Sequence, residues 1–283
     1  MIGFSQHLID VGGAQLEVYR GGEGDIVVCG SHPHGPEPES VRWYAEHAQV
    51  VYIMPRGHGQ SSPVRDSRDM RLETITRDLE AVRLQLGVER WVLEGYSGGC
   101  LLALTYALRY PDAVAGLIVG LGAAKIAGIL DDPRSVASPV YPTYQADLVG
   151  ARLDRLGTFG ADAPRWMQPR AGVWVLVQGH RPLIVAPVAE LSPHFKAFLE
   201  EIVNFDVSPR LHEIRAPTLV VCGRHDPQIP VDFCAAIQEG ISGAELLVLE
   251  HAAHEMPLAS ADGEVFRRTV TQFLTRLERQ LIS

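Results

Sequence analysis

Six short apolar runs constrain this chain more than any other feature. They are "DIVVCG" (25–30), "VVYIMP" (50–55), "RWVLEGYS" (90–97), "VAGLIVGLG" (114–122), "TLVVCG" (218–223) and "ELLVLE" (245–250). Each is apolar at successive rather than alternate positions, as suits a strand buried on both faces. Between most of them lie segments of helical character. "SVRWYAEHAQ" is one. "TITRDLEAVRLQLG" is another, with Ile75, Leu79, Val82 and Leu86 at helical spacing and Gly87 to close it. "GGCLLALTYALRY" stops before Pro111, "VDFCAAIQEG" follows the fifth run, and a last helix is expected near Gly263–Ile282. Strands alternating with helices predict an α/β fold: a mostly parallel, eight-stranded sheet with helices on both faces. Two alternating segments, around His7–Val11 and Gln15–Arg20 with Gly12-Gly13 between them, predict an antiparallel hairpin at its start.

The rhythm breaks from Ala123 to Val207, which is rich in Pro and Gly. Residues 1–122 and 208–283 are therefore expected to form the core, and 123–207 an inserted cap over the strand ends. Two short helices are expected in that insertion, near Pro142–Leu156 and Pro193–Asn204. A chain of 283 residues, 46% hydrophobic, suits one such domain with a large insertion. The net charge of −9, with both signs mixed and no Lys/Arg block, argues against a nucleic-acid partner. The stretch Ala171–Val188 is poor in charge, but Gln178, His180, Arg181 and two prolines argue against a membrane span. The N-terminus lacks the basic start and long apolar core of a signal peptide. Cys29, Cys100, Cys222 and Cys234 are far apart in sequence, none in a Cys-x-x-Cys pair, and read as small buried hydrophobes. A cytoplasmic protein is expected, with a small-molecule substrate as its partner and homodimerisation left open.

Ser97 sits in Gly95-Tyr96-Ser97-Gly98-Gly99, between an expected strand and an expected helix. A sharp turn there strains the serine backbone and lifts its hydroxyl off the sheet. Glycines two places either side are expected to avoid collision. The N–H of Gly98 would open the helix and point at a developing oxyanion. The alternative, a nucleotide-binding turn, asks for G-x-G-x-x-G or a Walker lysine, and neither is present. A serine hydroxyl needs a base. His254 follows the last expected strand, with His251 the runner-up three residues earlier. The base needs a carboxylate, and Asp226 follows the penultimate strand. A turn aspartate before Pro227 is the bland alternative. The second oxyanion donor falls after "DIVVCG", where the N–H of Ser31 is first by position and His32 next. His32 and His34 spell H-x-H, but Gly35-Pro36 follow where a metal site would want more ligands.

With these residues assembled, the chain resembles the α/β-hydrolase family over almost its whole length. The pieces that carry the likeness are "EGYSGG", "PRGHGQSS", "YALRYPDAVAGLIV", "PTLVVCGRHDPQIP" and "HAAHEMP". The resemblance implies Ser97 as nucleophile, Asp226 as acid and His254 as base. "FDVSPRLHEIRAPTLVVCGRHD" looks most like the proline iminopeptidase branch, in which cap carboxylates hold a free amine. Three departures stand out. "CGSHPHG" replaces the family's His-Gly-Gly-Pro-Gly, Met54-Pro55 precede Arg56-Gly57-His58-Gly59 without the usual acid, and Gly98 stands where the peptidases carry tryptophan. The resemblance gives the Arg56–Gly59 turn a packing role.

The expected activity is that of a serine hydrolase, needing no cofactor or metal, that cleaves a small, partly hydrophobic ester or lactone through an acyl-enzyme. An aminopeptidase acting on N-terminal proline is the alternative. A ligand-binding or receptor protein on a hydrolase scaffold is a third reading, and a lyase or carbon–carbon bond hydrolase using the same residues a fourth. The pocket is expected to include His32, Tyr96, Trp166 and Trp174, with Phe195 and Phe198 as cap core or wall. Glu190, Glu200 and Glu201 are expected on a solvated helix face, with amine binding as the alternative.

Overall fold

A computed structural model describes residues 3–31, 38–135, 201–254 and 257–282. The strands are β1 (Ser5–Asp10), β2 (Gln15–Gly21), β3 (Val27–Ser31), β4 (Gln49–Ile53), β5 (Trp91–Tyr96), β6 (Val114–Gly120), β7 (Thr218–Gly223) and β8 (Glu245–Leu249). They form one eight-stranded sheet in the order β1-β2-β4-β3-β5-β6-β7-β8. β1, β2 and β4 pair antiparallel, and every pairing from β4 through β8 is parallel. The expected hairpin turns at Gly12 and Gly13, with φ of 79° and 103°, a region glycine enters at little cost. The fold is that of an α/β hydrolase.

Helices cover both faces. On one side α2 (Leu72–Gln85), α3 (Gly98–Arg109) and α5 (Val231–Gly240) bury Leu79, Val82, Leu104, Tyr106 and Ile237 against Leu93, Leu117 and Val220. On the other, α1 (Pro38–Ala45) and α6 (Gly263–Ile282) bury Val41, Tyr44, Phe266, Val270, Phe273 and Leu277 against Val28, Val92 and Ile118. The α6 positions recur at helical spacing, so the sequence itself lays down one apolar stripe. Successive residues of β5 alternate between the two clusters, Leu93 on one side and Val92 on the other. This is why these strands read as unbroken apolar runs.

The expected helix "SVRWYAEHAQ" is corrected at both ends: α1 begins at Pro38 and stops at Ala45. Ala48 is fully buried and its carbonyl would lie 2.1 Å from a Cβ on Gly22. The Gln49 N–H donates to Ile26 O at 2.9 Å, and β4 begins there.

After β6 the chain leaves the sheet and rejoins it at β7. α4 (Ile126–Asp131) starts within a few residues of the strand, and Lys125 forms an isolated antiparallel bridge with Asp206. An ion pair of 3.2 Å between the same two side chains reinforces the bridge. The helix expected near Pro142–Leu156 and most of that expected at Pro193–Asn204 lie outside the described residues.

Candidate active site

Ser97 links β5 to α3 with φ 53° and ψ −121°, a left-handed conformation rare for any residue with a Cβ. Such strain costs roughly 1–3 kcal/mol and persists only where the surroundings enforce it. Here the Ser97 N–H donates to Gly120 O at 3.0 Å, and Ser97 O accepts from Cys100 N–H at 3.0 Å. A Cβ on Gly95 would sit 2.2 Å from Gly99 O, so the strand and the helix can meet only at a glycine. The expected collision on both sides holds at one. A Cβ on Gly99 would lie 3.9 Å from its nearest contact, Ser31 O, which is an ordinary distance.

Parallel pairing brings the ends of β3, β5, β7 and β8 to one edge. From β8 the chain reaches His254, and from β7 it reaches Asp226. His254 Nδ1 lies 2.7 Å from Asp226 Oδ2, and His254 Nε2 lies 3.1 Å from Ser97 Oγ. The Asp226 side chain is 1% exposed and that of His254 12%. A buried carboxylate beside Nδ1 makes that nitrogen the donor. Nε2 is then left to accept from the serine hydroxyl, which is the polarity proton abstraction requires.

The other oxygen of Asp226 has a separate task. Oδ1 accepts from the N–H groups of Gln228 at 2.8 Å and Ile229 at 2.9 Å. Oδ1 thus fills the expected turn role, while Oδ2 faces the imidazole of His254. The Asp-Pro pair signalled the turn; nothing local signalled that the second oxygen faces an imidazole 28 residues away.

His251, the runner-up base, is exposed, and its N–H donates to Asp262 Oδ2 at 2.6 Å. The N–H of Gly98 begins α3, where the first donors of a helix lack an intrahelical acceptor. Ser31 ends β3 beside Ile53 of β4, with its carbonyl facing the start of α3. Tyr96 is not at an open pocket as expected. It is 5% exposed, its ring 6.2 Å from that of Phe266 under α6, because strand alternation turns it into the core. Burial pushes its phenol well above the usual tyrosine range. Cys100, one turn below the serine, is fully buried, and burial pushes its thiol up to about 12, so it stays protonated. His32, His34, Trp166, Trp174, Glu190, Phe195, Phe198 and Glu200 lie outside the described residues.

Glu201 is half-buried rather than on a fully solvated face. Its Oε1 accepts from the Leu72 N–H at 2.7 Å, capping α2 from 129 residues away, and burial raises its carboxyl above the ordinary value. The Arg56–Ser62 turn is held by ion pairs. Arg56 reaches Asp78 at 2.6 Å and Asp69 at 2.8 Å, and Glu17 Oε2 accepts from Gln60 N–H at 2.6 Å. Among the described residues no group of His, Cys, Asp and Glu is arranged to hold a metal ion, and no helix is long and apolar enough to cross a membrane. A separate cavity of about 310 Å³ lies at the opposite edge of the sheet, between Arg90, Asp112, Arg215 and Leu277.

The family profile described as the alpha/beta hydrolase fold matches residues 41–260. The chain belongs to the α/β-hydrolase family. A proline iminopeptidase of Saccharolobus solfataricus is 25% identical over 222 residues, covering 72% of this chain and 69% of that protein. The 2-hydroxy-6-oxo-6-phenylhexa-2,4-dienoate hydrolase of Comamonas testosteroni is 28% identical over 276 residues, covering 89% and 88%. Among solved structures, an alpha/beta fold family hydrolase from Bacillus anthracis superposes with a TM-score of 0.71 at 19% identity, covering 97% of this chain and 99% of that one. This member of the α/β-hydrolase family thus has hydrolases of several kinds among its relatives.

Proposed function

We propose that the protein is a serine hydrolase acting on a small, partly hydrophobic carboxylic ester or lactone. The observation that carries this reading is the line from Ser97 through His254 to Asp226, at 3.1 and 2.7 Å. Ser97 attacks the carbonyl carbon while His254 Nε2 takes its proton. Asp226 holds the imidazole in the accepting tautomer and stabilises the imidazolium. The N–H groups of Gly98 and Ser31 receive the oxyanion. His254 returns the proton to the leaving oxygen, and water then resolves the acyl-enzyme by the reverse sequence. The chemistry needs no metal or cofactor.

A second reading has a specific observation behind it. The Comamonas relative, named for a 6-oxo dienoate, matches nearly the whole chain, insertion included. The same groups would then hydrolyse a carbon–carbon bond beside a ketone. The aminopeptidase alternative is supported by the iminopeptidase relative. Against it, Glu201 is already engaged at the start of α2. All four cysteines are free and buried, which supports a reducing, cytoplasmic setting. A small molecule as the partner, the insertion as a cap, and a homodimer remain part of the proposal.

Labelling with a fluorophosphonate, read by mass spectrometry of peptides, tests the nucleophile without knowledge of the substrate. The adduct is expected on Ser97 and absent from Ser97→Ala; an adduct elsewhere overturns the assignment. Nitrophenyl esters, a lactone, a 6-oxo dienoate and proline nitroanilide then sort the readings. Turnover of the dienoate or the anilide alone replaces the ester reading.

A further inference from the structure

Gly98 extends the serine-hydrolase reading to the shape of the substrate, and rests on that reading. Glycine has three ordinary justifications. One is a positive φ, and Gly98 is not among the residues that have it. Another is crowding. A Cβ on Gly95 would lie 2.2 Å from Gly99 O and one on Gly122 2.7 Å from Cys100 Cβ, but one on Gly98 meets nothing within 4 Å among the described residues. The third is local propensity, and at the head of α3 it favours alanine over glycine. Neither its conformation nor its packing against the described residues asks for glycine at this exposed position.

The place of the unfilled space follows from the proposed chemistry. The Gly98 nitrogen donates to the oxyanion, and a Cβ would be bonded to the carbon next to that nitrogen. An N···O hydrogen bond of about 2.9 Å and an N-to-Cβ span of about 2.5 Å put a side chain within about 5.4 Å of the carbonyl oxygen. At that range it would meet whatever flanks the reacting carbonyl.

We propose that Gly98 is a specificity-determining residue that leaves room for substrates whose reacting carbonyl is flanked by a branched or quaternary carbon. The space beside the nucleophile belongs to the substrate. Any side chain at position 98 would then select against bulk at the acyl α-carbon before it selected against chain length.

The test uses the full chain, with Gly98→Ala and Gly98→Leu, and nitrophenyl acetate and pivalate as substrates sharing one leaving group. The readout is the ratio of kcat/KM for pivalate to that for acetate, whatever each rate does alone. It is expected to fall about tenfold in Gly98→Ala, as for one misplaced methyl in a pocket, and further in Gly98→Leu. An unchanged ratio in both variants overturns the inference. So does a clear drop in Tm for Gly98→Ala, since it would mean that the protein itself fills the space. Fluorophosphonate labelling separates the two levels. Ser97 labelled with the ratio unchanged removes only this inference, while Ser97 unlabelled removes the hydrolase reading beneath it.

Discussion

Two turns leave the same edge of the sheet, one after β4 and one after β5, and they are stabilised in opposite ways. The Arg56–Ser62 turn carries an arginine and a histidine and by composition looks the more reactive. Yet Arg56 is bound by Asp78 and Asp69, His58 Nδ1 is 2.9 Å from Arg56 O, and Ser61 Oγ donates to Met54 O while accepting from Glu17 N–H. Polar groups there are used up in holding shape. The Ser97 turn has no charged residue, holds its serine at φ 53°, and offers the hydroxyl to an imidazole from a distant loop. Polar groups closed into fixed pairs, as Arg56 is with Asp78 and Asp69, mark a structural turn. Strain together with a hydroxyl facing an imidazole sets the Ser97 turn apart, as the proposed chemistry requires.

The largest effect that would bear out this contrast is at the strained turn. Ser97→Ala should lower kcat by about 10⁶-fold, and His254→Ala by about as much, with the double variant little worse because the groups act as a unit. Stability in urea should move by no more than about 0.5 kcal/mol in Ser97→Ala, since the hydroxyl supports little packing. Ester turnover and unfolding on the same samples check both halves. If His251→Ala costs more than His254→Ala, the base has been misplaced.

Next in size is Asp226, whose two oxygens have separate work. Asp226→Asn keeps an acceptor for the Gln228 and Ile229 N–H groups but turns an amide donor toward the imidazole. Activity should fall about 10⁴-fold with the turn retained. Asp226→Ala should lose both, adding roughly 1–3 kcal/mol of destabilisation from the two unpaired amides. Equal stability for the two variants would show that Oδ1 does not hold the turn.

The packed turn should respond in the reverse sense. Arg56→Met leaves two carboxylates facing each other with side chains only 4% and 15% exposed. Removing one member of a buried ion-paired group costs about 3–5 kcal/mol. The folded fraction should keep kcat/KM within about threefold, a change below roughly 0.7 kcal/mol of transition-state stabilisation. Urea unfolding and active-site titration decide it. A large loss of activity at unchanged stability would erase the distinction between the turns.

Much of this was legible in the sequence because it is local. Strand runs, the apolar stripe of α6 and the glycine before the serine are short-range signals, and the described strands lie within about two residues of the runs that predict them. The order Ser97, Asp226, His254 was legible too, because a parallel sheet sends every strand end to one edge. What escaped is long-range or depends on atoms rather than residue types. Glu201 capping α2 spans 129 positions and leaves no pattern. Tyr96 sits next to Ser97 in sequence but is carried into the core by strand alternation. The unequal need for Gly95 and Gly99 appears only once a carbonyl is placed 2.2 Å from where a Cβ would be.

The smallest effect isolates the strain itself. Ser97→Gly and Ser97→Ala both remove the hydroxyl, so their difference reports only what a Cβ costs at φ 53° and ψ −121°. Relief of that strain should contribute roughly 1–3 kcal/mol in favour of glycine. The greater freedom of glycine in the unfolded chain offsets about 0.5–1 kcal/mol of it. Glycine should therefore be the more stable variant by about 1 kcal/mol in urea unfolding. Position 98 gives the internal control: its φ is not positive and a Cβ there meets none of the described residues within 4 Å, so glycine should be the less stable choice. If alanine proved as stable as glycine at 97, the Ser97 turn would store no strain, and its difference from the Arg56 turn would reduce to the choice of hydrogen-bond partners.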